Sequence, residues 1–187
     1  MTRAHAKLLC GLLAMLVFGG ESVRAQNSIG SQGPEEGVIR RQSWLIPAQD
    51  RRTPMWSTVF RPPGAGPFPL AVINHGSTQN EIRRAAARLP EYTALTEWLV
   101  AHGYAVVVPQ RPGHGKTGGT YYEDQGGCAK ADYRKAGLNT AAAIAAAIDY
   151  MSFQPFIRKK DAIAIGQSAG GWGVLALASQ NYPPLRA

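Results

Sequence analysis

Residues 162–177 read AIAIGQSAGGWGVLAL, so that a single serine, Ser168, stands between two apolar runs. The first run, 162–165, predicts a buried strand, and the second, 172–177, predicts a helix. Ser168 then lies at the apex of a tight turn from strand to helix. Gly166 and Gly170 provide the small residues that such a turn needs, because strand and helix approach each other closely there.

A serine at this apex favours nucleophilic chemistry. A hydroxyl is a weak nucleophile at neutral pH and has to project into a cleft beside a base. The helix that begins after Ser168 directs free backbone N–H groups towards a developing oxyanion, and the Ala169 N–H is the first candidate donor. A packing turn without chemistry is the competing interpretation, since small residues surround a serine often by chance.

Two further segments strengthen the first interpretation. The apolar run 68–74 leads into His75-Gly76-Ser77, where the Ser77 N–H is the candidate for a second oxyanion donor. The run 104–109 is followed by RPGHG at 111–115. In this order, from about Trp44 to about Ser179, the pieces resemble the α/β-hydrolase superfamily, in particular its dienelactone-hydrolase-like and secreted esterase or peptidase branches.

The resemblance implies a fold and a reaction. The fold would be a doubly wound, mostly parallel sheet of the α/β-hydrolase type. Ser168 would attack an ester, lactone or amide carbonyl through an acyl-enzyme, while His75 and Gly76 shape the oxyanion turn. The substrate would be a small molecule. No metal or organic cofactor is implied, because a lone cysteine and scattered histidines do not form a ligand set.

The resemblance also exposes a gap in the catalytic set. In the family, the acid and the histidine base follow the nucleophile, but the nineteen residues after Ser168 contain no histidine, aspartate or glutamate. We therefore expect the N-terminal two thirds of a family domain, weakly active or inactive as it stands. The strand at 161–165 would be left as a sheet edge, so we also expect poor solubility.

None of the four histidines is assigned as the base. His5 falls in the leader, and His75 belongs to the oxyanion turn. His102 ends a predicted helix, where a cation suits the carboxyl end. His114 follows a strand and could contact substrate, although the corresponding family loop is structural.

The chain divides into three parts. Residues 1–25 have the charges, the apolar run and the small-residue site of a secretory signal peptide cleaved after Ala25, which predicts an exported, periplasmic or secreted protein. The apolar run is shorter than the roughly 20 residues of a membrane span, so no membrane association is expected after cleavage. Residues 26–40 predict a flexible mature N-terminus, and residues 41–187 the partial hydrolase domain.

Within that domain the strands are predicted at 42–47, 55–61, 68–74, 104–109 and 161–165. The helices are predicted at about 92–102 and 134–153, besides the one after Ser168. Ligands of such sheets bind at the carboxyl ends of the strands, where Ser77 and Ser168 would both lie.

Charge and cysteine content exclude fewer classes of function than the motifs do. The net charge of +8 is spread over separate pairs and runs such as Arg40-Arg41 and Arg83-Arg84, which favours solvated faces over a nucleic-acid track. Cys128 is the single cysteine left after leader removal, so an internal disulfide is excluded. Either its partner lies in sequence missing here, or it is a buried or reduced thiol. The oligomeric state stays open.

Two other classes of function remain as alternatives. A binding module could keep the fold and the pocket without a working triad. A nucleotide-binding protein is the remote alternative, because Gly115-Lys116-Thr117 follows a strand as a phosphate-binding loop does. The full motif needs a glycine where Gln110 stands and a helix beginning at the lysine.

Overall fold

The computed structural model of the chain describes residues 28–186. The predicted leader lies outside the described residues, so that its cleavage and export stay predictions. Within the described part, no helix is long and apolar enough to span a bilayer.

Five strands and four helices are present in residues 28–186. In chain order they are β1 Gln42–Pro47, β2 Pro54–Phe60, β3 Leu70–Asn74, α1 Glu81–Ala85, α2 Thr93–Ala101, β4 Ala105–Pro109, α3 Tyr133–Ser152, β5 Ile163–Gly166 and α4 Ala169–Ala178, with a short 3-10 helix at Cys128–Lys130. Every predicted strand and helix is present within three residues of its predicted bounds. The additional helix, α1, is five residues long and begins at Asn80, whose side chain accepts a hydrogen bond from the Arg83 N–H.

The strands form one sheet in the order β1-β2-β4-β3-β5. β1 and β2 form an antiparallel hairpin, and β2 pairs antiparallel with β4. β3 pairs parallel with both β4 and β5. The carboxyl ends of these three parallel strands therefore meet along one edge of the sheet, where the loops that carry the candidate residues begin.

Helices cover both faces of this sheet. On one face, α3 and α4 pack over a core that includes Leu70, Val72 and Val107. On the other face, α2 packs Leu99 and Val100 against the alternate residues of the same strands. Because both faces are buried, the central strands are apolar throughout, as predicted. The doubly wound α/β fold is confirmed.

β5 lies at the edge of the sheet, as expected from the resemblance to the family. Within residues 28–186 its outer side has a backbone partner only just before its first residue, where Ala162 forms hydrogen bonds with Pro184 and Arg186. Residues 163–166 have no second strand beside them within the described chain.

The segment predicted to be flexible lies along β1 from residue 28 onward. The Gly30 N–H donates to the Leu45 carbonyl at 2.8 Å, and the Gly33 N–H donates to the Ser43 carbonyl at 2.7 Å. These bonds cover the outer edge of β1. The mobility of this segment stays a prediction, but its backbone has defined partners.

Candidate active site

The turn between β5 and α4 holds Ser168 in a strained conformation, with φ 52° and ψ −121°. For a residue other than glycine such a conformation costs roughly 1–3 kcal/mol and has to be held by its surroundings. A Cβ at Gly166 would overlap the Gly170 carbonyl, and a Cβ at Gly170 would overlap the Asn74 carbonyl. Both glycines are therefore required because the backbone approaches closely at these positions. They are predicted from the sequence for the same reason.

The turn after β3 lies directly against this elbow. The parallel register places Asn74 beside Gly166, and the Gln167 N–H donates to the Asn74 carbonyl at 3.0 Å. A Cβ at Gly76 would lie 3.3 Å from the Ser168 Cβ. The His75-Gly76-Ser77 turn and the elbow thus form one site, although 88 residues of chain lie between Ser77 and Gly166.

Two backbone groups at this junction are free. The N–H groups of Ser77 and Ala169 have no hydrogen-bond acceptor among residues 28–186. An N–H group in a water-accessible cleft that has no protein partner can donate to a bound oxygen. The two candidate oxyanion donors are therefore available, each one residue beyond a tight turn.

His75 is fully engaged in shaping the oxyanion turn. Its Nδ1 lies 2.7 Å from the Gly76 carbonyl oxygen, and its Nε2 accepts the Arg111 N–H at 3.0 Å. Burial, with the nearby Arg111 charge, holds the pKa of His75 well below its usual value. A neutral imidazole with both nitrogens occupied fits a structural role and not that of a base.

His114 holds the side chain of Ser77. Its Nδ1 lies 3.1 Å from the Arg111 carbonyl oxygen, which makes Nδ1 the donor, and its Nε2 lies 2.8 Å from the Ser77 Oγ. The Tyr121 hydroxyl lies 2.9 Å from the same Oγ. Burial lowers the pKa of His114. Sequence reasoning left His114 as a possible substrate contact, and it also lines the cleft beside Ser168.

The remaining histidine of the domain lies apart from this site. His102 stacks on Trp98 at the end of α2, and its Nδ1 is 2.7 Å from the Trp98 carbonyl oxygen. It does not line either cleft at Ser168. Its position at the carboxyl end of the helix is the one inferred from sequence.

A buried ion pair beneath the oxyanion turn was missed from sequence. Arg111 is fully buried, and its Nε and Nη2 donate to the two carboxylate oxygens of Glu123. Its Nη2 also donates to the His75 carbonyl at 2.7 Å. No local pattern joins Arg111 to Glu123, because the two meet only when the loop after β4 folds back on itself.

Two clefts meet at Ser168. One, of about 420 Å³, extends over α1 and is lined by Arg83, Arg84 and Arg88 besides residues of the oxyanion turn. The other, of about 280 Å³, extends over the start of α3 and is lined by aromatic side chains, Tyr121, Tyr133 and Trp172. The elbow thus has one basic and one aromatic side.

Other sequence features contribute no site. Within residues 28–186 no group of three or more His, Cys, Asp or Glu residues is gathered as a metal ion would require. Cys128 is a free and exposed cysteine, so the interpretation of Cys128 as a buried thiol is wrong.

The loop at Gly115-Lys116-Thr117 does not have the form of a phosphate-binding loop. The Gly115 N–H donates to the Arg84 carbonyl at 2.8 Å, and the Thr117 N–H to the side chain of Gln110 at 3.3 Å. The Lys116 ammonium lies 5.1 Å from the centre of the Trp56 ring. The amides that would hold a phosphate are occupied, and no helix begins at the lysine.

The chain is similar to known proteins in sequence and in fold. The profile of the prolyl oligopeptidase family matches residues 90–185. No curated protein sequence matches. Among solved structures, an acetyl xylan esterase from Paenibacillus sp. R4 is 20% identical with a TM-score of 0.54, covering 79% of this chain and 47% of that one.

Two further structures show the same likeness. Acetyl xylan esterase 1 from Thermoanaerobacterium sp. JW/SL YS485 is 15% identical, with a TM-score of 0.53 over 81% of this chain and 47% of that one. A cold-adapted esterase from an Arctic intertidal metagenomic library is 20% identical, with a TM-score of 0.54 over 80% of this chain and 60% of that one. At these identities the likeness shows the fold. The chain spans about half the length of the two acetyl xylan esterases.

Proposed function

Because the chain belongs to the prolyl oligopeptidase family of α/β-hydrolases, we propose that it is a serine hydrolase whose nucleophile is Ser168. The observation that carries the proposal is the junction of the elbow with the oxyanion turn. There a strained serine lies against Gly76. The backbone N–H groups of the residues that follow these two in the chain, Ser77 and Ala169, have no acceptor among residues 28–186. Strain of this kind persists where a function requires it.

The reaction follows from these groups. The Ser168 Oγ attacks the carbonyl carbon of an ester, lactone or amide, and a base takes the hydroxyl proton. The carbonyl oxygen becomes an oxyanion that accepts hydrogen bonds from the Ser77 and Ala169 N–H groups. The leaving group departs with a proton, and water then hydrolyses the acyl-enzyme by the reverse sequence of proton transfers.

The base and the acid are not among the described residues in this proposal. His75 and His114 use both ring nitrogens within the protein, and no histidine or carboxylate residue follows Ser168 in the 187 residues. We place both groups in sequence that continues beyond residue 187 in a longer protein. Without them the oxyanion donors and binding alone would supply a rate enhancement on the order of 10³–10⁴ over water.

The scissile bond is proposed to be an ester or a lactone. The family takes its name from peptidases, and the elbow serves both chemistries, because each passes through the same acyl-enzyme. The structures described above are esterases by their titles, which supports the ester side. Export after cleavage at Ala25 belongs to the same proposal.

A non-catalytic binding module is the alternative that a specific observation favours. The catalytic set is incomplete within the chain, while the clefts beside Ser168 are open. A binding module has no reason to keep the serine reactive. Reactivity of Ser168 therefore separates the two functions.

The test is covalent labelling with a fluorophosphonate probe, followed by hydrolysis of p-nitrophenyl esters. The chain is compared with the protein extended by the coding sequence downstream of residue 187. We expect labelling of Ser168 in the extended protein, its loss in Ser168→Ala, and full labelling in Ser179→Ala, a matched control at the exposed end of α4. A folded extended protein that neither takes the label nor hydrolyses esters would overturn the proposal.

A further inference from the structure

The wall of the larger cleft carries three arginines from one short stretch of chain. Arg83 and Arg84 lie in α1 and Arg88 follows it, and all three line the cleft that opens at Ser168. None of them forms an ion pair with a carboxylate among residues 28–186. Three positive charges therefore face a space that contains no protein anion.

The carboxylates next to these arginines in sequence do not neutralise this wall. In the part of the chain that the structure describes, the residues lining the cleft include no aspartate or glutamate. Glu81, at the start of α1, is exposed and lies outside the lining, and Glu91 is bonded to Arg41 at 2.5 Å. The positive potential of the cleft is therefore not cancelled locally.

The buried position of Arg84 distinguishes this cleft wall from a solvated surface. Its side chain is 9% exposed, its Nη1 donates to the Thr78 carbonyl at 2.9 Å, and its guanidinium lies 3.7 Å above the Tyr121 ring. Among residues 28–186 its buried Nε has no hydrogen-bond partner. Arg61 and Arg111 also leave one buried nitrogen unpaired, but each forms an ion pair with a glutamate, which Arg84 does not. Buried charges in proteins are normally paired, because an unpaired one carries the full cost of desolvation. A ligand anion in the cleft would reduce that cost.

We propose that this cleft binds an anionic group of the substrate, a carboxylate or a phosphate, on the part of the substrate that extends from the scissile carbonyl over α1. Arg83 and Arg88 are exposed and contact the anion, since guanidinium groups match the two oxygens of such groups. Arg84 is a positioning residue that holds the loop at Thr78 and adds its charge to the wall. The inference rests on the proposed function only in calling the ligand a substrate.

The test measures binding, so that it does not require Ser168 to react. Isothermal titration calorimetry of the full chain compares glutaramate with glutaramide, a pair that differs in one negative charge, and adds propyl phosphate as the second anion. We expect glutaramate to bind about tenfold more tightly than glutaramide, as for a charge-assisted hydrogen bond. Propyl phosphate binding more tightly than glutaramate would assign the site to phosphate esters, and the reverse to carboxylates.

Variants locate the effect. Because Arg83 and Arg88 are exposed, Arg83→Gln and Arg88→Gln should fold normally and should each lower the affinity for the anion about fivefold, with glutaramide unchanged. Arg158→Gln is the matched control, since Arg158 is exposed and precedes β5 at the opposite end of the sheet. Equal affinity for glutaramate and glutaramide, or an equal loss in Arg158→Gln, would overturn the inference.

The two proposals fail separately. Anion binding without fluorophosphonate labelling of the extended protein would leave the basic cleft in place and remove the hydrolase. Labelling and ester hydrolysis with no preference for glutaramate over glutaramide would support the hydrolase and remove the anion site.

Discussion

Two buried arginines donate to carbonyls at the two ends of the oxyanion turn, Arg111 to His75 and Arg84 to Thr78, and their surroundings differ. Arg111 is fully buried, and both oxygens of Glu123 accept its hydrogen bonds. Arg84 is almost as buried, but it is bonded to one backbone carbonyl and stacked on one ring. The first charge is neutralised inside the protein, and the second is left open towards a cleft.

The difference shows how one residue type serves two purposes a short distance apart. A buried charge that has its counter-ion acts on the fold, here by fixing the His75 carbonyl and hence the oxyanion turn. A buried charge that has no counter-ion in the protein creates an electrostatic potential that can attract an oppositely charged ligand. Substitutions on each side of the turn should therefore have opposite signatures, in stability on one side and in anion affinity on the other.

The largest expected effect is that of Glu123→Gln on stability. The substitution leaves Arg111 buried without its counter-charge, which costs about 3–5 kcal/mol. Urea unfolding followed by tryptophan fluorescence measures the loss. Glu97→Gln, at an exposed position of α2, is the matched control and should change the free energy of unfolding by less than about 0.5 kcal/mol.

The double substitution Arg111→Met with Glu123→Leu sharpens this result. Replacing both partners by apolar residues removes the unpaired charge, so that much of the lost stability should return. If Glu123→Gln alone costs less than about 1 kcal/mol, a magnitude typical of an exposed pair, the pair does not support the turn.

Arg84→Met should show the reverse signature. The substitution removes an unpaired buried charge together with one hydrogen bond and one ring contact, so the free energy of unfolding should change by less than about 1 kcal/mol. The affinity for glutaramate should fall, because one of the three charges is lost. Urea unfolding and calorimetry on the same sample give both values. A loss of stability as large as that of Glu123→Gln would erase the distinction between the two arginines.

The third prediction concerns pH. Burial lowers the pKa of both His75 and His114, and the Arg111 charge lowers them further, while Glu123 opposes the effect at His114. The unfolded chain therefore binds protons first as the pH falls below the ordinary histidine pKa of 6.5. Stability conferred by the neutral imidazoles is present above pH 6.5 and is lost as the pH falls towards their folded pKa values.

Thermal unfolding between pH 7 and pH 4.5 tests this prediction. We expect Tm to fall with pH over that range, and the slope to be shallower in His114→Gln. Asp50 does not confuse the result, because its hydrogen bonds outweigh burial and lower its pKa to about 2, so that its contribution is lost only below its ordinary value of 3.8. A flat profile above pH 4.5 would contradict the prediction.

The smallest effect is expected for Glu91→Gln. Glu91 pairs with Arg41 at a partly exposed position, and such pairs contribute about 0.5 kcal/mol. The substitution also removes the carboxylate next to Pro90, which lines the basic cleft. Glutaramate affinity should therefore rise by less than about threefold. A fall in affinity would indicate that the anion lies elsewhere.

The sheet and the elbow could be predicted because their signals are local. Apolar runs bounded by turn residues define β3, β4 and β5. The small residue at Gly166 reflects a contact within the elbow, with Gly170, whereas Gly170 packs against the Asn74 carbonyl of a distant strand. β3 begins two residues later than predicted, at Leu70, because Pro69 cannot donate a backbone hydrogen bond.

The surroundings of Ser168 could not be predicted in the same way. α1 is too short for a periodic pattern, so Arg83 and Arg84 were interpreted as one more solvated pair. The hydrogen bond between His114 and Ser77 joins loops that follow different strands. The close packing of Gly76 against Ser168 also joins two such loops. Such contacts depend on tertiary packing, for which neither composition nor spacing gives a signal.

Helix α1 lies outside the sheet and outside both buried cores. Its Arg83 and Arg84 line the cleft, while the turn at Ser168 is held by backbone contacts from another loop. Under the anion-binding proposal, substitutions in this one turn of helix would change which ligands the cleft prefers and leave the turn at Ser168 intact. New ligand preferences would then evolve there at little risk to the fold.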